Sequence, residues 1–405
     1  MKRICLSVIG LFLVMFSAFA QPSSRDTSQY KPRKLSFEEA NLVSSYYKQD
    51  GHNSAVEGGI GSEKLTDISN TLDVKFIRWD KKDRKHSYVG EIGMDHYTSA
   101  SSDKINPYTL SSASHADTRI YPSFSWDMEN LQKGSTIGAG VSLSSEYDYT
   151  SIGAHVNFSQ KTKNRNGEFT AKGQVYLDKL KYILPLELRA NPNPNSDNGE
   201  GDNYPSKSRN SYSGSLSYSQ IINARLQLMF IADLVYQQGY LGLPFHRVFL
   251  QGNPTTPVVE NLPDTRMKIL LGFRANYFLG DKLLLRSFYR YYTDDWGLSS
   301  HTVQLESSVK VNPFLSITPF YRYYTQTAVD YFAPYLNHKS TEKYYTSNFD
   351  LSAFNSNFYG AGFRITPTKG VFGIQRLTML ELRYGHYTRT TGLSSDIISM
   401  NIKFK

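Results

Sequence analysis

The stretch Ile397-Ile398-Ser399-Met400-Asn401-Ile402-Lys403-Phe404-Lys405 decides how this chain folds. From Ile398 on, every second side chain is apolar (Ile398, Met400, Ile402, Phe404), with Ser399, Asn401 and Lys403 between them. A strand sends successive side chains to opposite faces, so one face is greasy and the other wet. The same period of two runs back through the chain. It is read in Leu72, Val74 and Phe76; in Ile137, Ala139, Val141 and Leu143; in Ile152, Ala154, Val156 and Phe158; and in Leu226, Leu228, Phe230, Ala232 and Leu234. It continues in Met267, Ile269, Leu271 and Phe273, and in Leu380, Leu382 and Tyr384. Each run is about ten residues, the length of a tilted strand that crosses a bilayer.

The polar face separates two all-β alternatives. A soluble sandwich has a charged outside and a bulky inside. Here the non-apolar positions are rich in Gly, Ser, Thr and Asn with scattered charges, as a water-filled lumen requires. Mean hydropathy is only −0.45, yet 14% of residues are aromatic, with 30 Tyr and 23 Phe. A barrel needs apolar residues only at alternate positions, and tyrosine suits an interfacial girdle because its ring is apolar and its hydroxyl wet. The expectation is a transmembrane antiparallel up-and-down β-barrel of about 16 strands, with 14 as the alternative, short periplasmic turns and long extracellular loops.

The first twenty residues read as a secretory leader. Lys2 and Arg3 precede an apolar run from Ile4 to Phe16, and Ala18-Phe19-Ala20 is a small-x-small cleavage site. The run is too short to span a bilayer. Cys5, the one cysteine, lies inside that leader, so a mature chain from Gln21 has no disulfide, thiol nucleophile or cysteine metal site. Three regions are expected: a signal peptide over 1–20, a short periplasmic lead over 21–39, and a barrel over 40–405 placed in the bacterial outer membrane. The lead is too short for a plug domain. Net charge is +9, or +7 without Lys2 and Arg3, but no basic run with interleaved aromatics points to nucleic acid.

Turn chemistry sets the register. Tight reversals are expected at 81–84, 130–134, 163–167, 222–224, 280–281 and 312–313, where Gly, Pro and Asn gather. Longer connectors fall near 99–117, 179–210, 240–264 and 328–355. One echo supports this register: Phe288-Tyr289-Arg290-Tyr291-Tyr292-Thr293 returns as Phe320-Tyr321-Arg322-Tyr323-Tyr324-Thr325. It reads either as a girdle repeated at two strand ends or as an aromatic-cationic slide for a sugar or an anion. By parity Arg225, Arg266, Lys268, Arg274, Arg286, Arg290, Arg322 and Arg383 face the lumen. The inward acids are fewer: Glu91, Asp95, Glu168, Asp233, Glu306 and Glu381. A low-dielectric wall focuses such a field and favours anions, unless bases, acids and infolded loops neutralise one another.

Two motifs carry a family resemblance. Ser44-Ser45-Tyr46-Tyr47-Lys48-Gln49-Asp50-Gly51-His52-Asn53-Ser54-Ala55-Val56-Glu57-Gly58-Gly59-Ile60-Gly61-Ser62-Glu63-Lys64-Leu65 resembles the opening motif of an uncharacterised bacterial outer-membrane β-barrel family, known only as a domain of unknown function. Asp95-His96-Tyr97-Thr98-Ser99-Ala100-Ser101-Ser102-Asp103 resembles its second. The resemblance implies an outer-membrane barrel and a place beside an extracytoplasmic redox system. It carries over no catalytic or binding residue.

In the first motif, glycines among Asp50, Asn53, Glu57, Gly58, Gly59, Glu63 and Asp67 permit three arrangements: a constriction folded into the lumen, a Ca²⁺-holding turn of no EF-hand spacing, or an ordinary hairpin. The nine histidines form no metal pair, and no phosphate-cradling loop is present. A barrel hydrolase would find its best single residue in His96, beside Asp95 and Ser99. Ions at Asp197, Glu200 and Asp202 are an outside alternative. No cofactor is expected. The expected partners are outer-membrane lipid, the barrel-assembly machinery through the C-terminal strand, and a periplasmic partner. Two functions follow: a passive or partner-gated channel for small anionic or polar solutes, or a non-conducting barrel that scaffolds a periplasmic or surface partner, redox in one version.

Overall fold

Period-two patterning becomes a cylinder because every strand finds a hydrogen-bonding neighbour on both sides. The computed structural model describes residues 32–98, 116–188 and 204–405. Its barrel strands are β1 (Ser36–Asp50), β2 (Leu65–Trp79), β3 (Lys85–Thr98), β4 (Ala116–Asn130), β5 (Ser135–Ser145), β6 (Tyr149–Lys161), β7 (Gly167–Lys181), β8 (Ser206–Asn223) and β9 (Leu226–Gly239). After two short strands, β10 (Arg247–Val248) and β11 (Val258–Val259), come β12 (Thr265–Leu279), β13 (Leu283–Asp294), β14 (Ser299–Asn312), β15 (Leu315–Gln326), β16 (Phe354–Ile365), β17 (Leu377–Arg389) and β18 (Ser394–Phe404). All but β10 and β11 form one closed antiparallel barrel of sixteen strands. β18 closes it against β1, from Ala40 opposite Phe404 to Asp50 opposite Ser394. Closure removes the sheet edges that would otherwise need a partner.

The sixteen-strand antiparallel expectation is met. The first strand starts at Ser36, ahead of the expected boundary near 40. The leader over 1–20 and most of the lead over 21–39 lie outside the described residues. So do most of the 99–117 connector, with Ser99 to Asp103, and the acids Asp197, Glu200 and Asp202.

Alternation sorts the two faces as read. Val156 is 63% exposed and Phe230 58%, on an outer belt that also carries Ile152, Leu271, Val303, Tyr321, Tyr359 and Ile398. Such a continuous apolar surface is stable only against lipid. The reversals use one device repeatedly. Asn130, Asn223 and Asn312 turn their side-chain oxygens back onto the amides two and three residues on, at 2.8–3.1 Å. Asp80 accepts in a similar way from the Lys82 and Arg84 amides, two and four residues on.

Loop lengths are less regular than expected. On the outer side, the connectors at 146–148, 295–298 and 390–393 are short, the last two with Gly297 and Gly392 at positive φ. On the inner side, 366–376 is long. It lays Val371, fully buried, onto Ala40, Leu377, Ile402 and Phe404, across the seam where β1 meets β18.

Candidate functional site: a loop lid above a basic wall

Three long outer connectors meet over the mouth of the barrel. In strand order, the β1–β2 hairpin and the β9–β12 connector stand eight strands apart, on opposite sides of the outer rim. Strand spacing and tilt make such a barrel roughly 30 Å across. Yet Arg247, at the start of β10, donates from Nη1 to the Val56 carbonyl at 2.8 Å. It also grips the Glu187 carboxylate through Nε at 2.5 Å and Nη2 at 3.2 Å. Arg247 is buried, and its guanidinium pins the β1–β2 loop to the connectors on the far side.

The glycines of the first motif make this contact close enough. Gly58, at φ +77°, lies under the Phe249 ring, where an added Cβ would come within 2.6 Å of the ring. Gly59, at φ +86°, faces the Ser347 carbonyl, which an added Cβ would approach to 2.7 Å. Only glycine combines a left-handed backbone with that approach. The loop is also tied sideways, since Asn53 Nδ2 donates to the Thr391 carbonyl at 2.6 Å and Gln49 to the Glu63 carbonyl at 2.9 Å.

The third loop, 327–353, is sealed to the β9–β12 connector by buried polar groups. Glu260 accepts from Thr346 Oγ1 and from the Leu243 amide at 3.1 Å, and faces His246 Nδ1 at 3.3 Å. Burial works to raise the Glu260 carboxyl, but His246 and these donors outweigh it and hold it below the usual carboxylate range. His338, almost wholly buried, bonds Glu342 at 2.6 Å and the Thr346 carbonyl at 2.9 Å. A small apolar core of Trp296, Leu298 and Val329 fills the space beside them. At Glu63, burial and then Asp350 push the carboxyl up.

Below the lid, the inner wall from β12 to β17 carries arginines stacked on phenylalanines. Arg274 and Arg290 lie over Phe288, with centroid distances of 5.4 and 5.3 Å. Arg322 lies over Phe358 at 4.8 Å and Arg383 over Phe320 at 4.0 Å. Glu306 is bracketed by Arg286 at 2.5 Å and Arg383 at 3.1 Å. Among the described residues, no carboxylate lies within salt-bridge distance of Arg274, Arg290 or Arg322.

The residues read from the sequence fall in three places. Arg274, Arg286, Arg290, Arg322 and Arg383 share the inner wall. Arg266 lies at the outer end of β12, bonded to Asp294 at 2.5 Å and stacked on Trp296 at 4.3 Å, with Lys268 next to it inside. Arg225 is exposed in the β8–β9 turn at the inner rim, where its carbonyl accepts from Phe278. Asp50 is at the rim, Asn53, Gly58 and Gly59 are in lid contacts, and Glu57 is buried beside Gly61. Asp95 and His96 point to opposite faces: Asp95 pairs with Arg119 at 2.6 Å, and His96 contacts Thr118. Among the described residues no cluster of three metal-ligating side chains occurs. Sequence reasoning missed Arg247, whose signal was a lone charge inside the apolar run Phe245 to Leu250. It also missed the inward phenylalanines, which parity across the echoed segments would have given.

Solved structures with similar barrels include Pseudomonas aeruginosa OccK1 (OpdK), with TM-score 0.41 and 8% identity over 93% of this chain and 99% of that one. A BenF-like porin from Pseudomonas fluorescens Pf-5 has TM-score 0.43 and 9% identity over 92% and 99%. The ferric enterobactin receptor PfeA of Pseudomonas aeruginosa, in mutant form, has TM-score 0.46 and 12% identity, covering 87% of this chain and 53% of that one. Likeness at that level says nothing of what this chain does. No curated protein matches it. A family model does match, over residues 85–390, which take in the whole of the second motif and leave the first outside. The chain belongs to the family described as Protein of unknown function (DUF3570).

Proposed function

We propose that this chain is an outer-membrane channel for small anionic solutes, shut at its outer mouth by the loop lid and opened by the lid's release. The observation that carries this reading is the inner wall, where Arg274, Arg290 and Arg322 have no acidic partner among the described residues. A cationic wall backed by lipid attracts anions and repels cations. The test is the reversal potential of the purified barrel in a planar bilayer under a KCl gradient. Anion preference is expected, and cation preference refutes the reading.

The lid itself favours a second reading, a closed barrel that scaffolds a periplasmic or surface partner, redox or otherwise. Absence of conductance both in the wild type and in a lid-released variant, together with a co-purifying partner, decides for the scaffold.

A further inference from the structure

We infer that the inner wall of β12–β15 holds a recognition site for anions bearing two or more negative groups, of the phosphoanhydride or polycarboxylate kind. It rests on the channel reading only for the idea that such solutes pass through.

Register places the groups. Arg274 on β12 faces Phe288 on β13, Phe288 faces Gln304 on β14, and Gln304 faces Arg322 on β15. One step outward, Arg290 faces Thr302. Because Arg274 and Arg290 stack on the same ring, at 5.4 and 5.3 Å, their charges are separated by at most about twice that distance. The acid in the neighbouring row, Glu306, is already held by two other arginines, and among the described residues no carboxylate neutralises these cations. Between Arg290 and Arg322, the Thr302 hydroxyl and the Gln304 amide have no side-chain partner among the described residues. The site is therefore rich in donors and poor in acceptors.

The ring restricts both guanidiniums, so little freedom is lost when they grip a ligand. Each presents a planar fork that fits a carboxylate or phosphoryl group. A monovalent anion answers one fork. An anion with two charged groups answers both for a single loss of translational freedom.

The test is calorimetric titration of inorganic pyrophosphate into the detergent-solubilised barrel, with acetate as the monovalent reference. Folded protein is verified by its shifted migration on an unheated gel. Pyrophosphate is expected to bind more tightly than acetate. R274Q and R290Q are each expected to weaken it on the order of tenfold, the effect of one lost charge-assisted bond. K172Q, which removes a charge on β7, is expected to leave it within about twofold, since a distant exposed charge is screened. R274K and R290K keep the charge without the fork, should fall between, and replace any glutamine variant that does not fold. No pyrophosphate binding, or equal weakening by K172Q, overturns the site. Anion-selective conductance without pyrophosphate binding sinks this site and spares the channel. Binding without conductance does the reverse.

Discussion

Replacing Arg247 by alanine should open the lid without unfolding the barrel. The guanidinium makes one bond to the Val56 carbonyl and two to Glu187, all within 3.2 Å. Bonds to a charged group contribute about 1.5–3 kcal/mol each at most. The Glu187 side chain is 32% exposed and regains water when the arginine leaves, so its share is discounted. What remains is about 2 kcal/mol, or roughly a 30-fold shift of the closed-to-open ratio. None of the three bonds belongs to the barrel ladder, so the temperature at which the folded band disappears on an unheated gel should not change. The assay is single-channel recording of wild type, R247A and R247K in the same bilayer. R247A should spend far more time open, and R247K, with a point charge and no fork, should lie between. If R247A and wild type show the same open fraction, the lid does not gate. If R247A loses the folded band, Arg247 supports the barrel itself.

Other outcomes follow from the same geometry. G59A puts a Cβ 2.7 Å from the Ser347 carbonyl on a left-handed backbone, a strain of about 1–2 kcal/mol; it should raise the open fraction in the direction of R247A while the folded band keeps its melting temperature. Asp148, in the β5–β6 turn, is pushed up to about 6 by burial and by Glu146 and Asp117. Its protonated form is the one the fold favours, so this contribution is full below the ordinary range near 3.8 and is lost as pH rises through 6. D148N should therefore be the more stable protein at pH 7.5, by about 1 kcal/mol after allowance for contact with water; gel-monitored melting at pH 5 and 7.5 checks this, and an equal gap at both values refutes it. V371A empties part of the cluster over the β1–β18 seam, costs about 2 kcal/mol, and should lower the melting temperature without changing the reversal potential.

The sequence by itself determined the wall. Strict alternation, as in Ile398 to Phe404, leaves one solution once lipid is the solvent, because backbone groups cannot stay unpaired there and only a closed sheet pairs them all. Parity then told which side Arg274, Arg290, Arg322 and Arg383 face, and asparagines at 130, 223 and 312 marked reversals through their own hydrogen bonds. What lies across the lumen was decided only by tertiary structure. Residues 51–64 and Arg247 are nearly two hundred positions apart, and their meeting depends on closure bringing opposite sides of the outer rim within reach of two loops. No local period encodes such a contact. The glycines of the first motif signalled close approach but not its object, which is Phe249 and Ser347. Likewise, parity placed the arginines inside but could not show that Glu306 spends itself on Arg286 and Arg383, while Arg274, Arg290 and Arg322 have no carboxylate at salt-bridge distance among the described residues.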